Sequence, residues 1–172
     1  CSLFFDDMRL PDKYRLGEEG EGFSIAMRIL NVSRPANSAN CVGLAQAALD
    51  EAVAYSKQRV VGGQPICKKG VIAAMLADME IGVETARQMS VHALNLYEAH
   101  KPFSREAAIA KCYATDVAFK IAGDAVQILG GYGYSREYPV EKLLRDAKIF
   151  QIFEGTNEIQ RMVVGRSVLG RL

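Results

Sequence analysis

In Ile152-Phe153-Glu154-Gly155-Thr156 a carboxylate stands between an aromatic residue and a glycine, in what reads as a loop opening a helix. Apolar neighbours strip water from such a carboxylate and suit it to general-base work. The same residue also fits as a solvated acid at a helix N-terminus, where the dipole favours negative charge. Five residues alone leave both readings open. A second candidate is the run Gly130-Gly131-Tyr132-Gly133, which follows Gln127-Ile128-Leu129. Glycines after a helix admit the close approach of a ligand or of another backbone, and they are equally ordinary helix caps. Arg59 closes a helical pattern, so it either balances the dipole or grips a phosphate bidentately. His92 and His100 sit on helical faces without a partner visible in the sequence and read as structural. Cys1, Cys41, Cys67 and Cys112 form no C-x-x-C pair. The three or four close-spaced soft ligands that zinc requires are missing, and no metal site is expected.

The elements that must position these residues are helical. Phe23, Met27 and Leu30 lie one turn apart, and apolar residues recur at helical spacing from Val42 to Val53. Pro35 permits a kink or a fresh start. Gly62-Gly63-Gln64-Pro65 predicts a stop. A long helix carries the stripe Ile72, Met75, Leu76, Met79, Val83, Ala86, Ala93, Leu94 and Tyr97, ending at Lys101-Pro102. Ser104 is the expected cap of a third helix running from about Arg105 to Leu129. Its middle is alanine-rich and apolar on most sides, which predicts the central, most buried helix. Shorter helices are predicted over 140–148 and from Thr156 to about Leu169. Leu3-Phe4-Phe5 could end a strand, and no other run supports a sheet. The fold class is therefore all-α, an up-down four-helix-type bundle with a short extended N-terminal lead-in.

Composition narrows the function classes. The chain has 172 residues, 49% of them hydrophobic, which is enough for one domain with a real core. Lys+Arg number 21 and Asp+Glu 20, so the net charge of +1 argues against a nucleic-acid binder and against an acidic disordered tail. No apolar run reaches the length of a membrane span. Scattered thiols suit a reducing, intracellular compartment. The opening residues show neither an initiator Met nor a signal peptide, so the chain is expected to be a piece of a longer protein.

Several segments together resemble the C-terminal part of an acyl-CoA dehydrogenase. They are Arg34-Pro35; Gly43-Leu44-Ala45-Gln46 through Leu49-Asp50-Glu51-Ala52; and Ala125-Val126-Gln127-Ile128-Leu129-Gly130-Gly131-Tyr132-Gly133. Tyr138-Pro139-Val140-Glu141-Lys142, Leu144 to Ile149, and Ile152-Phe153-Glu154-Gly155-Thr156-Asn157-Glu158-Ile159-Gln160-Arg161 continue the likeness. The resemblance implies that residues 1–21 are the tail end of a preceding β-domain with its linker, and that 22–172 form the helical-bundle C-terminal domain. It implies a flavoenzyme that oxidises an acyl-CoA thioester to the trans-2-enoyl-CoA, a carboxylate taking the α-proton and FAD the β-hydride. Electrons then pass to electron-transfer flavoprotein. The alternative is a helical assembly domain of a related flavin oxidase or monooxygenase, inactive in isolation.

By the same resemblance Glu154 matches the family's catalytic base, and its own N–H matches the donor to the thioester carbonyl. Some subfamilies place the base at the position of Ser33, where a serine cannot serve. Asn31, Ser33, Arg34 and Gly155 match substrate-binding positions. Arg59 matches an arginine that meets the pyrophosphate of the neighbouring subunit's FAD. Gln127, Gly130 and Gly131 match the segment beside the adenosine half, and Thr156 and Glu158 match cofactor contacts after the base. The family departs from this chain at Gly62, where an aromatic is usual, and at Gly70, often glutamine. The resemblance further implies a homo-oligomer, a dimer or homotetramer packed through the bundle. Its location would be cytoplasmic in a bacterium and the mitochondrial matrix in a eukaryote.

Overall fold

A computed structural model describes residues 2–170; Cys1 and the last two residues of the proposed bundle lie outside them. Three long helices pack on one another: α1 (Gly22–Gln58), α2 (Gly70–Glu98) and α3 (Ser104–Leu129). The single turn α4 (Gly131–Tyr134) leads to α5 (Val140–Phe150) and α6 (Asn157–Leu169), and both α5 and α6 lie against α3. This is the all-α bundle expected, with α3 at its centre. Ala107, Ala110, Ala114, Ala118, Ala122 and Ala125 recur along α3 and are fully or almost fully buried. Their small side chains let the neighbouring helices come close, and Ile121, Met79 and Val83 fill what remains.

Gly82 of α2 marks a close approach to α3. A Cβ there would stand 2.9 Å from Val117 Cγ1 and 3.3 Å from Ile121 Cδ1 on α3. Gly82→Val is therefore expected to cost about 2 kcal/mol through overpacking, even though Val is the better helix former. A chemical-denaturation midpoint unchanged by the substitution would contradict this packing.

Cys41 is wholly buried in α1, and burial pushes its thiol up to about 12. Cys67 is half-buried. At pH 8 iodoacetamide should label Cys67 well before Cys41, which should react only on unfolding. Peptide mapping after a timed pulse checks the order.

Several boundaries differ from the sequence reading. α1 runs unbroken through Pro35, which is buried, so no fresh start falls there. Beside the proline, the Asn37 amide donates to Ser33 O (3.1 Å) and the Ser38 hydroxyl to Arg34 O (2.9 Å). These bonds serve carbonyls on the turn that the proline disturbs. Asn37 thus finds a local partner. α2 ends at Glu98, ahead of Lys101-Pro102, because His100 takes a left-handed conformation (φ 53°) and Lys101 N reaches back to Leu96 O. Ser104 is the first residue of α3 and not its cap; its hydroxyl donates to Asn31 Oδ1 on α1 instead.

Gly62-Gly63, expected only to stop a helix, turns a two-stranded hairpin that pairs Val60–Val61 with Gln64–Pro65. Both glycines have positive φ (66° and 80°), as the tight mirror-image turn of such a hairpin demands. Leu3-Phe4-Phe5 belongs to no strand. Residues 2–21 are exposed, with one 3-10 turn at Asp12–Tyr14, since no described segment pairs with their backbone.

Candidate active site

After α5 the chain makes one tight turn before α6. Phe153 N donates to Ile149 O, and Thr156 caps α6 by accepting from Ile159 N. Between them Glu154 and Gly155 both take positive φ, 58° and 87°. For a glutamate this conformation is unfavourable, by about 1–3 kcal/mol, and persists only where the surroundings impose it.

Here the surroundings are polar and buried. Arg34 Nε of α1 donates to Glu154 O at 3.3 Å. Lys111 Nζ of α3 and Gln160 Nε2 of α6 each donate to Gly155 O at 2.9 Å. Lys111 Nζ also donates to Asn157 Oδ1 (2.8 Å), and Asn157 Nδ2 donates to Thr115 Oγ1 (2.8 Å) and Asp116 Oδ1 (2.7 Å). Arg34 is 2% exposed; Lys111 and Gln160 are wholly buried. Burial pushes the pKa of Arg34 down, opposed by the charge of Glu154, and burial likewise lowers that of Lys111.

With both carbonyls drawn inward, neither the Glu154 nor the Gly155 N–H donates to an acceptor among the described residues. The Glu154 carboxylate meets α1, where the Ser33 hydroxyl donates to Oε2 at 2.5 Å. Ser33 lines an open apolar hollow of about 480 Å³ with Arg28, Ile29, Val32 and Ala36. Carboxylate, unengaged N–H groups and an apolar wall therefore belong to one small region, an arrangement fitted to remove a proton next to a carbonyl.

The helix-dipole role that the sequence left open for Glu154 falls to Glu158, in the first turn of α6. Its own N–H and the Thr156 hydroxyl hold its carboxyl below the usual range. The flanking Ile152 and Phe153, expected to desolvate Glu154, are 50% and 38% exposed. The half-buried state of Glu154 comes from the α1 side.

Of the substrate positions, Ser33, Arg34 and Gly155 adjoin Glu154. Asn31 is half-buried and meets Arg34: Arg34 Nη1 donates to Asn31 Oδ1 at 3.2 Å. Of the cofactor positions, Arg59, Gly130 and Gly131 line one groove of about 640 Å³, walled by Tyr55 and Tyr132. Gln127 is exposed on the last turn of α3 and does not line it. Thr156 and Glu158 face a separate crevice of about 150 Å³ with Asp116, Lys148 and Arg161. Among the described residues no three potential metal ligands gather, and no helix is long and apolar enough to cross a membrane.

Sequence reasoning missed Lys111, Asn157 and Gln160. For Lys111 a signal existed, since it is a lysine in the alanine-rich middle of the helix expected to be most buried. The other two read as polar residues at the start of the final helix, and nothing local betrays their burial.

A helical bundle that holds a carboxylate on a left-handed turn against the facing helix defines the class of site. Residues 20–169 match the family model described as "Acyl-CoA dehydrogenase, C-terminal domain", and the chain belongs to that family. An acyl-CoA dehydrogenase of Bacillus subtilis is 51% identical over 168 residues, 98% of this chain and 44% of the relative. The solved butyryl-CoA dehydrogenase of Megasphaera elsdenii superposes with a TM-score of 0.95 at 51% identity, over 96% of this chain and 43% of that one. A chain in the structure titled for the electron transferring flavoprotein of Acidaminococcus fermentans gives 0.95 at 47% identity, over 97% of this chain and 44% of that one. The chain thus spans less than half the length of the relatives it matches.

Proposed function

We propose that this chain supplies the catalytic base and one wall of the acyl site to a flavin-dependent acyl-CoA dehydrogenase acting on short acyl chains. Residues 22–172 would be its C-terminal bundle, and 1–21 the end of a β-domain with its linker. The observation that carries the reading is the meeting of Glu154 and Ser33 across 121 residues of sequence. Ser33 occupies the position from which, by the family resemblance, other members supply the base. A carboxylate from either position would reach the same carbon.

In this reading the acyl chain lies along Ile29 and Val32, and the thioester carbonyl accepts from the free Glu154 N–H. Such a donor, aimed where negative charge develops, lowers the barrier by about 3 kcal/mol. Glu154 takes the α-proton, with Ser33 holding its second oxygen in place. Bound FAD supplies the acceptor for the hydride that leaves the β-carbon.

The groove suits part of such a cofactor. Arg59 offers a planar cation for phosphate oxygens, Tyr55 and Tyr132 offer aromatic walls, and a Cβ at Gly130 or Gly131 would meet only open space. Thr156 and Glu158 lie at a different crevice, which fits an enzyme whose subunits share cofactors: one crevice serves the subunit's own FAD and the groove its neighbour's. A homo-oligomer follows from that arrangement. Electron-transfer flavoprotein is the proposed acceptor, in keeping with the Acidaminococcus likeness.

The test is anaerobic addition of butyryl-CoA to the full-length flavoprotein. The flavin colour should bleach and crotonyl-CoA should form in equal amount. A flavin that bleaches only with a non-thioester reductant, or reduces oxygen directly at the same rate, would overturn the reading in favour of oxidase-type chemistry.

A further inference from the structure

Lys111 is an uncommon group for the place it occupies. Its side chain is wholly buried in the middle of α3, among alanines, and it forms no salt bridge with a carboxylate among the described residues. A core position of that shape is ordinarily filled by Leu or Met, because an ammonium out of water needs strong compensation. Its donors go to two acceptors, Gly155 O and Asn157 Oδ1, and both belong to the segment that presents Glu154. Gln160 already serves the Gly155 carbonyl. Satisfying that oxygen therefore does not by itself require a lysine.

The neighbouring residues of α3 hold the rest of the segment. Asp116 accepts from Gln151 Nε2 (2.6 Å), just before the turn, and from Asn157 Nδ2 (2.7 Å), just after it. Arg161 Nη2 steadies Asp116 at 2.6 Å. The Asn157 amide thus spans a cation and an anion, its carbonyl on Lys111 and its NH2 on Asp116. Lys111, Thr115 and Asp116 are one helical turn of a single buried helix, and they grip both ends of the turn that carries Glu154. From the other side Arg34 takes the Glu154 carbonyl.

We propose that Lys111 is a positioning residue for catalysis: its buried ammonium pins the Gly155 carbonyl and Asn157 to α3, and so maintains the left-handed Glu154-Gly155 pair that aims the carboxylate. The strain of that pair is offset by bonds that form only in this conformation, which is how a rigid helix sets a side chain on a loop. The role differs from that of a core residue in being local. It concerns residues 151–157 and the orientation of one carboxylate, and it leaves binding of the thioester largely untouched. The proposal rests on Glu154 being the base.

The test uses the full-length holoenzyme with Lys111→Met, which keeps most of the apolar stem and its bulk and removes the ammonium. Amide hydrogen exchange of Ile152, Phe153 and Asn157, whose N–H groups are bonded around the turn, should accelerate at least tenfold, while α2 keeps the parent rates. The limiting rate of flavin reduction should fall on the order of 10- to 100-fold, as for an ångström-scale misplacement of a reacting group, with the Kd for acyl-CoA within about threefold. Should Lys111→Met not fold, Lys111→Gln makes the same prediction, because its tip is one bond too short to reach Gly155. Parent-like exchange in the loop overturns the proposal. So does protection lost evenly over all helices with rate and affinity falling together, which marks an ordinary core residue. A parent-like rate in Lys111→Met also overturns it, provided that Glu154→Gln is slow in the same assay. If Glu154→Gln is itself fast, the base assignment has failed, and loop exchange alone decides for or against Lys111.

Discussion

Glu154→Gln in the full-length enzyme is expected to bind acyl-CoA as the parent does and to reduce its flavin at least about 100-fold more slowly, the loss typical of a missing general base. Glutamine keeps the size of the side chain and can still meet the Ser33 hydroxyl, so the fold of the turn survives. The carbonyls of Glu154 and Gly155 are held by Arg34, Lys111 and Gln160, none of which depends on the carboxylate. What disappears is the capacity to take the α-proton. Stopped-flow bleaching under anaerobic conditions separates the two steps, since binding fixes the substrate dependence and proton removal the plateau. Loss of affinity with an unchanged plateau would mean that Glu154 binds substrate and that another group is the base.

Gly155→Val should harm both activity and stability. Gly155 has φ 87°, and a β-branched residue there is a genuine outlier. A Cβ would also stand 2.7 Å from Gln160 Nε2 and 3.4 Å from Arg34 Nη2. Backbone strain and overpacking together come to about 2–4 kcal/mol. Part of this the turn can relieve by moving, but only by breaking the bonds that aim Glu154. The expected result is a lowered thermal midpoint together with a loss of flavin reduction. Gly165→Ala on α6 is the matched control. Nothing lies within 4 Å of its added Cβ, and a helical Gly→Ala change gains up to about 1 kcal/mol. Equal behaviour of the two substitutions would contradict the geometry of the turn.

How far the sequence could be read depended on the range of each interaction. The long helices were legible because their apolar residues repeat over many turns, and α3 was recognisable as central from its alanines alone. Ends were less legible, because they turn on single backbone angles. His100 adopts a left-handed conformation that nothing in Ala99-His100-Lys101 announces, and Pro35 sits inside α1 without ending it. The hairpin at Gly62-Gly63 escaped because strands of two residues are too short to show alternation.

At the site the contrast is sharper. Ile152 to Thr156 marks itself locally, and the family likeness attaches a role to Glu154. Local sequence misjudged its environment. The flanking Ile152 and Phe153 remain partly exposed, and the groups that hold the turn come from positions 33, 34, 111 and 160. Such partners meet only after the helices pack. Lys111 was the exception that could have been noticed, since a charge in an otherwise apolar helix must be bonded to something. Two departures from the family's residues read differently in structure. Gly62 is required by its turn, while Gly70 begins α2 with open space around it.

The central claim is that Glu154 removes the α-proton, and the most direct measurement isolates that step from hydride transfer. A thioester such as 3-thiabutyryl-CoA has acidic α-hydrogens and a β-sulfur with no hydrogen to give. In D2O the parent enzyme should exchange its α-hydrogens for deuterium, followed by NMR, without reducing the flavin. Glu154→Gln should bind the same thioester and leave its α-hydrogens in place. Exchange by the variant at the parent rate would show that the proton goes to another group and would contradict the account.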